Sequence, residues 1–126
     1  MDKTIHDSRT DREKYAVTEA FYNPGKVLLI IGALGNWGQH VAFGMPEAAG
    51  VDLILSDREE RAFELDALRE EVREFYPGIS VKTITYTADE EAGPPELFRL
   101  LRKKAGTVDV LADLRAINDR GKGGAE

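Results

Sequence analysis

The chain has 126 residues and a mass of 14.0 kDa, enough for one domain with a single hydrophobic core. Hydrophobic residues at 42%, charged residues at 32% and a mean hydropathy of −0.36 exclude a disordered or membrane-embedded chain. A net charge of −6, with Arg and Lys interleaved among Asp and Glu, argues against nucleic acid as a partner, and the lack of cysteine removes disulfides, thiolate nucleophiles and cysteine-held zinc.

Residues 1–25 are polar and read as an N-terminal arm, with a short helix over 11–21 ended by the turn Asn23-Pro24-Gly25. The arm has no apolar stretch of the kind a secretory signal carries, so the expected location is the cytoplasm. Lys26-Val27-Leu28-Leu29-Ile30-Ile31 is an unbroken aliphatic run, the pattern of a strand buried on both faces of a parallel sheet. It is far shorter than the roughly 20 residues of a membrane helix. After a glycine-rich turn, Trp37, Val41, Met45 and Ala48 share one face of a helix, with Gly44 and Pro46 predicting a kink or loop at its end. Val51-Asp52-Leu53-Ile54-Leu55 is a second strand, and Leu65, Leu68, Val72 and Phe75 mark the apolar face of a long amphipathic helix. Its other face, with Arg58, Arg61, Arg69 and Arg73 among many carboxylates over 57–74, reads as solvated and salt-bridged. Pro77-Gly78 stops it, and residues 79–87 form a third strand. Pro94-Pro95 opens a helix with Leu97, Leu100 and Leu101, stopped at Gly106, before a fourth strand, Val108-Asp109-Val110-Leu111-Ala112. Strand and helix alternate, so right-handed crossovers predict an α/β domain over 26–117: a Rossmann-like parallel sheet of four strands, order 3-2-1-4, with helices on both faces. Residues 118–126 form a Gly-rich charged tail.

The functional signal lies between the first strand and its helix. In Gly32-Ala33-Leu34-Gly35-Asn36-Trp37-Gly38 three glycines recur at a spacing of three, where the chain must turn sharply and let a ligand approach its backbone. The backbone N–H groups and the positive end of the helix dipole then face a pyrophosphate without any basic side chain. Asp57 follows Gly32 by 25 positions, near the end of the second strand, where an acid can accept hydrogen bonds from adenosine ribose hydroxyls. It could equally serve as N-cap of the next helix, a role open to Ser56 as well. Arg58 could meet a 2′-phosphate, so NAD and NADP both stay open as the cofactor. The cofactor-binding set is therefore Gly32, Leu34, Gly35, Asn36, Trp37, Gly38, Asp57 and Arg58, with Trp37 expected to anchor the helix in the core.

These residues resemble the short-chain dehydrogenase/reductase superfamily, and 26–117, about three-quarters of the chain, looks like its N-terminal half. The glycine spacing is similar to that of the extended and atypical branches, some of which bind nucleotide without catalysis. The resemblance implies a Rossmann fold and an NAD(P) ligand. It breaks down after the fourth strand, where the family's Asn-Asn-Ala-Gly is matched by Asp113-Leu114-Arg115-Ala116. At the end of the third strand the family's adenine-side Asp is matched by Tyr86, or by Asp89 if the alignment shifts; Tyr86 could stack on adenine or simply pack in the sheet. The family's catalytic Ser and Tyr-x-x-x-Lys would lie beyond the end of this sequence. Tyr22 and Lys26 do have that spacing, but Pro24-Gly25 lies between them and they precede the first strand.

Neither His6 nor His40 has a second metal ligand at helical spacing, so no metal site is expected. Three functions compete. The first is an NAD(P)- or adenine-nucleotide-binding protein without independent catalysis. The second is an enzyme, an NAD(P)-dependent oxidoreductase in the resemblance, completed by a partner chain or by Asp113, Arg115 and Asn118. The third is an interaction protein that has lost the ligand. A rim position for the apolar fourth strand predicts association through its edge, with a second copy or with another subunit.

Overall fold

The computed structural model describes residues 25–118. The expected arm helix, His6, the Tyr22 end of the rejected motif and the tail past Asn118 lie outside the described residues.

The elements follow in chain order: β1 (Val27–Ile31), α1 (Asn36–Ala49), β2 (Asp52–Arg58), a 3-10 turn (Glu59–Arg61), α2 (Ala62–Phe75), β3 (Val81–Tyr86), the single turn α3 (Ala88–Glu91), α4 (Pro94–Ala105) and β4 (Val110–Asp113). All strand pairs are parallel, in the order β3-β2-β1-β4. The order expected from strand–helix alternation is thus the observed one, because each right-handed crossover leaves few places for the next strand.

The aliphatic run of β1 divides between two cores. Leu28 and Ile30 join Leu53, Leu55, Ala42, Leu65, Leu68 and Val72, so α1 and α2 cover one face. Leu29 and Ile31 join Ile54, Tyr86, Leu97 and Leu101 beneath α4 on the other face. Burial on both faces explains why β1 is a continuous apolar run with no polar alternation.

Helix α1 departs from expectation in two ways. The face toward the core carries Gly38, Ala42, Pro46 and Ala49; Trp37 and Ala48 are exposed, and Val41 and Met45 are only half-buried. The cause is the closeness of the helix to the turn before it, since a Cβ on Gly38 would stand 2.2 Å from the Gly32 carbonyl oxygen. Only small residues fit at that distance, so the helix is rotated by about one position from the face its larger apolar residues suggest. Second, α1 neither kinks into a loop nor stops at Pro46. It reaches Ala49 and ends at Gly50, whose φ of 68° and N–H bond to the Pro46 carbonyl (2.9 Å) make a left-handed cap.

In α2 the expected inward residues Leu65, Leu68 and Val72 are buried, but Phe75 is 71% exposed. It sits in the last turn and packs edge-on against Phe43, with centroids 5.6 Å apart. The charged face of α2 carries the expected ion pairs, among them Arg61–Glu64 and Arg73–Glu70. Among the described residues strand β4 pairs only with β1, and Val110 and Leu111 are exposed.

Candidate functional site

Parallel strands deliver all their C-terminal ends to one edge of the sheet, and the strand order reverses at β1, with β2 on one side and β4 on the other. Doubly wound sheets hold ligands at such a switch point. Register places Ile31 beside Ser56 and Asp113, and Arg58 beside Tyr86, so every segment that leaves the sheet here borders one cleft of about 480 Å³. A volume of this size lies within the range of small-molecule sites.

One wall is backbone. Gly32 has φ of 83°, a left-handed conformation that favours glycine, and the N–H groups of Gly32 and Ala33 both donate to the Ser56 carbonyl, at 3.0 and 3.1 Å. Ala33 and Leu34 bury their side chains in the core, which pins the turn between strand and helix. The N-cap of α1 is Gly35, with no side-chain cap of its own. Asp57 locks the turn to β2: its Oδ2 accepts from Leu34 N–H at 3.0 Å and its Oδ1 from Arg58 N–H at 2.8 Å. Asp57 is a buried member of β2, and the residues at the N-cap positions that follow are Arg58 and Arg61, so the N-cap alternative for Asp57 and Ser56 is not what the structure adopts. Each Asp57 oxygen keeps acceptor capacity toward the cleft.

The opposite wall is charge. Capping of α3 by Thr87 and Glu90, each bonding the other's backbone N–H, carries the chain over the end of β3 and sets Glu91 at the cleft. Glu91 accepts from Arg58 (Nη2–Oε1 2.6 Å) and pairs with Arg115 (Nη1–Oε2 3.3 Å). Arg115 in turn forks onto Asp113, with Nη2 at 2.6 Å and Nε at 2.8 Å. This chain of charges links the ends of β2, β3 and β4. The bond and charge of Asp113 raise the Arg115 pKa above its ordinary value. Burial by itself would raise the Asp113 pKa, but the bonds from Arg115 outweigh it and hold that carboxyl below its usual range. Tyr86 is almost wholly buried at the cleft floor, and burial, with the Asp57 carboxylate second, raises its phenol pKa. A phenol so placed stays protonated at neutral pH.

Of the residues expected to hold a cofactor, Gly32, Leu34, Gly35, Asn36, Asp57 and Arg58 line the cleft. Gly38 does not; it is the contact that lets α1 approach the turn. Nor does Trp37 line it: the residue is 49% exposed and its ring meets His40 edge-on at 5.9 Å, so it is no core anchor. Ala33 and Leu34 take the interior position instead, which leaves the next side chains on the helix's outer side. Tyr86 both packs in the sheet core and reaches the cleft, whereas Asp89 is exposed outside it. Arg115 and Asn118 line the cleft and Asp113 supports Arg115. Sequence reasoning missed Arg61 and Glu91; the pattern Thr87-x-x-Glu90, a capping box directly after the third strand, is the signal that could have found the turn holding Glu91. Among the described residues no cluster of three or more His, Cys, Asp or Glu could hold a metal, and no helix is long and apolar enough to cross a membrane.

No family model and no curated protein matches this sequence. Solved structures do match the fold. A short-chain type dehydrogenase/reductase from Mycobacterium ulcerans superposes with a TM-score of 0.56 at 14% identity, over 73% of this chain and 33% of that one. A short chain dehydrogenase from Mycobacterium smegmatis gives 0.55 at 26% identity, over 71% and 36% respectively. The chain therefore spans about a third of the length of these proteins. The domain is Rossmann-like and similar to part of a short-chain dehydrogenase, the resemblance carried in the sequence by its glycine turn and strand order.

Proposed function

We infer that this domain binds an adenine dinucleotide, NAD or NADP, as a module without independent catalysis. The observation that carries the reading is the position of Asp57: its carboxylate is buried at the tip of β2 and bonded to Leu34 N–H of the glycine turn, so that ribose acceptor and phosphate turn form one unit. The pyrophosphate would lie at Gly32, Gly35 and the first turn of α1, where the two glycines carry no side chain of their own, and the adenosine ribose would donate its hydroxyls to Asp57. Arg58 and Arg61 flank that acid, and the side chains facing it are as compatible with a 2′-phosphate as with a free hydroxyl. A bound dinucleotide supplies hydride chemistry. For this chain's own part, the protonated Tyr86 and the paired Arg58 and Arg115 shape and charge the cleft, and none of the three is poised as a general base.

Titration with NADH, NADPH and ADP-ribose, followed by ligand fluorescence and by quenching of the single tryptophan, tests this reading. Saturable binding that Gly35→Arg abolishes is expected. Failure of all three to bind at millimolar concentration would end it. The solved structures of similar fold are dehydrogenases, which favours a second reading: the same cleft serves an oxidoreductase whose proton-transferring groups come from elsewhere. Turnover of a nicotinamide cofactor by the chain alone or with an added subunit would promote that reading over the first.

The rim of β4 belongs to the same proposal. With Val110 and Leu111 exposed and no strand on the outer side of β4 among the described residues, it is the place for a further strand from a second copy or from another subunit. A monomer in sedimentation at tens of micromolar, with no partner retained, would refute it.

A further inference from the structure

Asn118 is 86 positions from Gly32 in sequence, yet its carboxamide closes the glycine turn. Its Nδ2 donates to the Gly32 carbonyl at 2.9 Å and its Oδ1 accepts from Trp37 N–H at 3.0 Å. The side chain lies against Gly35, where an added Cβ would fall 2.1 Å from the Asn118 Cγ. The space opened by the lack of a side chain at Gly35 is therefore filled by the protein itself.

Trp37 is the second residue of α1, so its N–H is one of the orphan donors that a helix start offers to an anion. A neutral amide oxygen now takes that donor, and a phosphate oxygen would require the same one. The carboxamide is held from behind: Asn118 N–H bonds the Leu114 carbonyl at 2.8 Å, Leu114 N–H bonds Ile31 at 2.9 Å, and the Arg115 side chain between them is tied to Asp113 and Glu91.

We propose that Asn118 is an internal stand-in for a phosphate, and that a pyrophosphate-bearing nucleotide enters the glycine turn only by displacing its side chain. The proposal rests on the nucleotide reading above. Charge favours the exchange, since an anionic oxygen accepts a hydrogen bond more strongly than a carboxamide does. The closed turn nevertheless lowers the apparent affinity by the fraction of molecules that are open at any moment.

The test is calorimetric titration of the full chain with ADP-ribose, comparing the natural protein with Asn118→Ala. Removing both hydrogen bonds should tighten binding by about tenfold. Asn118→Ser, too short to span both partners, should shift it the same way by less, and stands in if the alanine variant fails to fold. Hydrogen exchange at the Trp37 amide gives a second readout: protected in the natural protein, unprotected in Asn118→Ala, and protected again when ADP-ribose is added. Equal or weaker binding by both variants overturns the displacement and leaves the nucleotide reading standing. Binding by none of the three proteins overturns both.

Discussion

The two walls of the cleft are built by different means. On the β1–β2 side the shape comes from backbone and from missing side chains: Gly32 in a left-handed turn, Gly38 pressed against the Gly32 carbonyl, and Asp57 bonded to Leu34 N–H. On the β3–β4 side it comes from long charged side chains, Glu91, Arg115 and Asp113, with Asn118 reaching across. Backbone geometry set by close packing has few alternatives, whereas ion pairs whose side chains keep 18–27% exposure, as Arg115, Glu91 and Asp113 do, can open more readily. The contrast sets a rigid glycine turn against a wall that can rearrange.

Three experiments probe that contrast, beginning with the largest effect. Gly38→Val would drive side-chain atoms into the Gly32 carbonyl and Ala33, so denaturant unfolding should show a loss of about 3 kcal/mol. A loss well under about 1 kcal/mol would mean that α1 can slide and that the rigid wall is not rigid. Asp57→Ala should come next, at about 2 kcal/mol, because the Leu34 N–H would lose its buried acceptor. ADP-ribose binding should weaken at least about tenfold in the same variant, through the lost ribose bonds. Stability lost without any change in binding would confine Asp57 to shaping the turn.

Arg115→Gln should have the smallest effect, under about 1 kcal/mol at neutral pH, as befits a part-exposed pair. Its pH dependence is diagnostic. The Asp113 carboxyl is held below its ordinary 3.8 in the folded protein, so the pair's contribution is present above about pH 4 and disappears as pH falls through the lowered value. The natural protein should accordingly lose its advantage over Arg115→Gln as the pH of acid unfolding falls below the ordinary carboxylate value of 3.8. Parallel acid-unfolding curves would show that the pair contributes nothing to folding.

Much of the rigid wall was legible from residue order, and little of the other was. The glycine spacing, Asp57 at the strand tip and the sheet order were all read from local pattern. Residue order puts Arg115 and Asn118 beyond the fourth strand but does not give their partners, since Asn118 meets a carbonyl 86 positions away. Glu91 has no local signal of its own beyond the capping box before it, because it matters through pairing with Arg58 and Arg115 from distant segments. The Trp37 error has a packing cause: helical periodicity identifies the larger apolar residues of α1, while the approach demanded by Gly38 chooses the small ones for the interior.

By itself, then, the sequence determined the Rossmann-like topology and the place of the glycine turn, since strand and helix periods, turn residues and crossover handedness act over short stretches of chain. Only the tertiary structure decided which face of α1 is buried, which carboxylates engage Arg58 and Arg115, and that Asn118 fills the turn. Those outcomes depend on the distance between elements once they are packed, a quantity that no local pattern of residues carries.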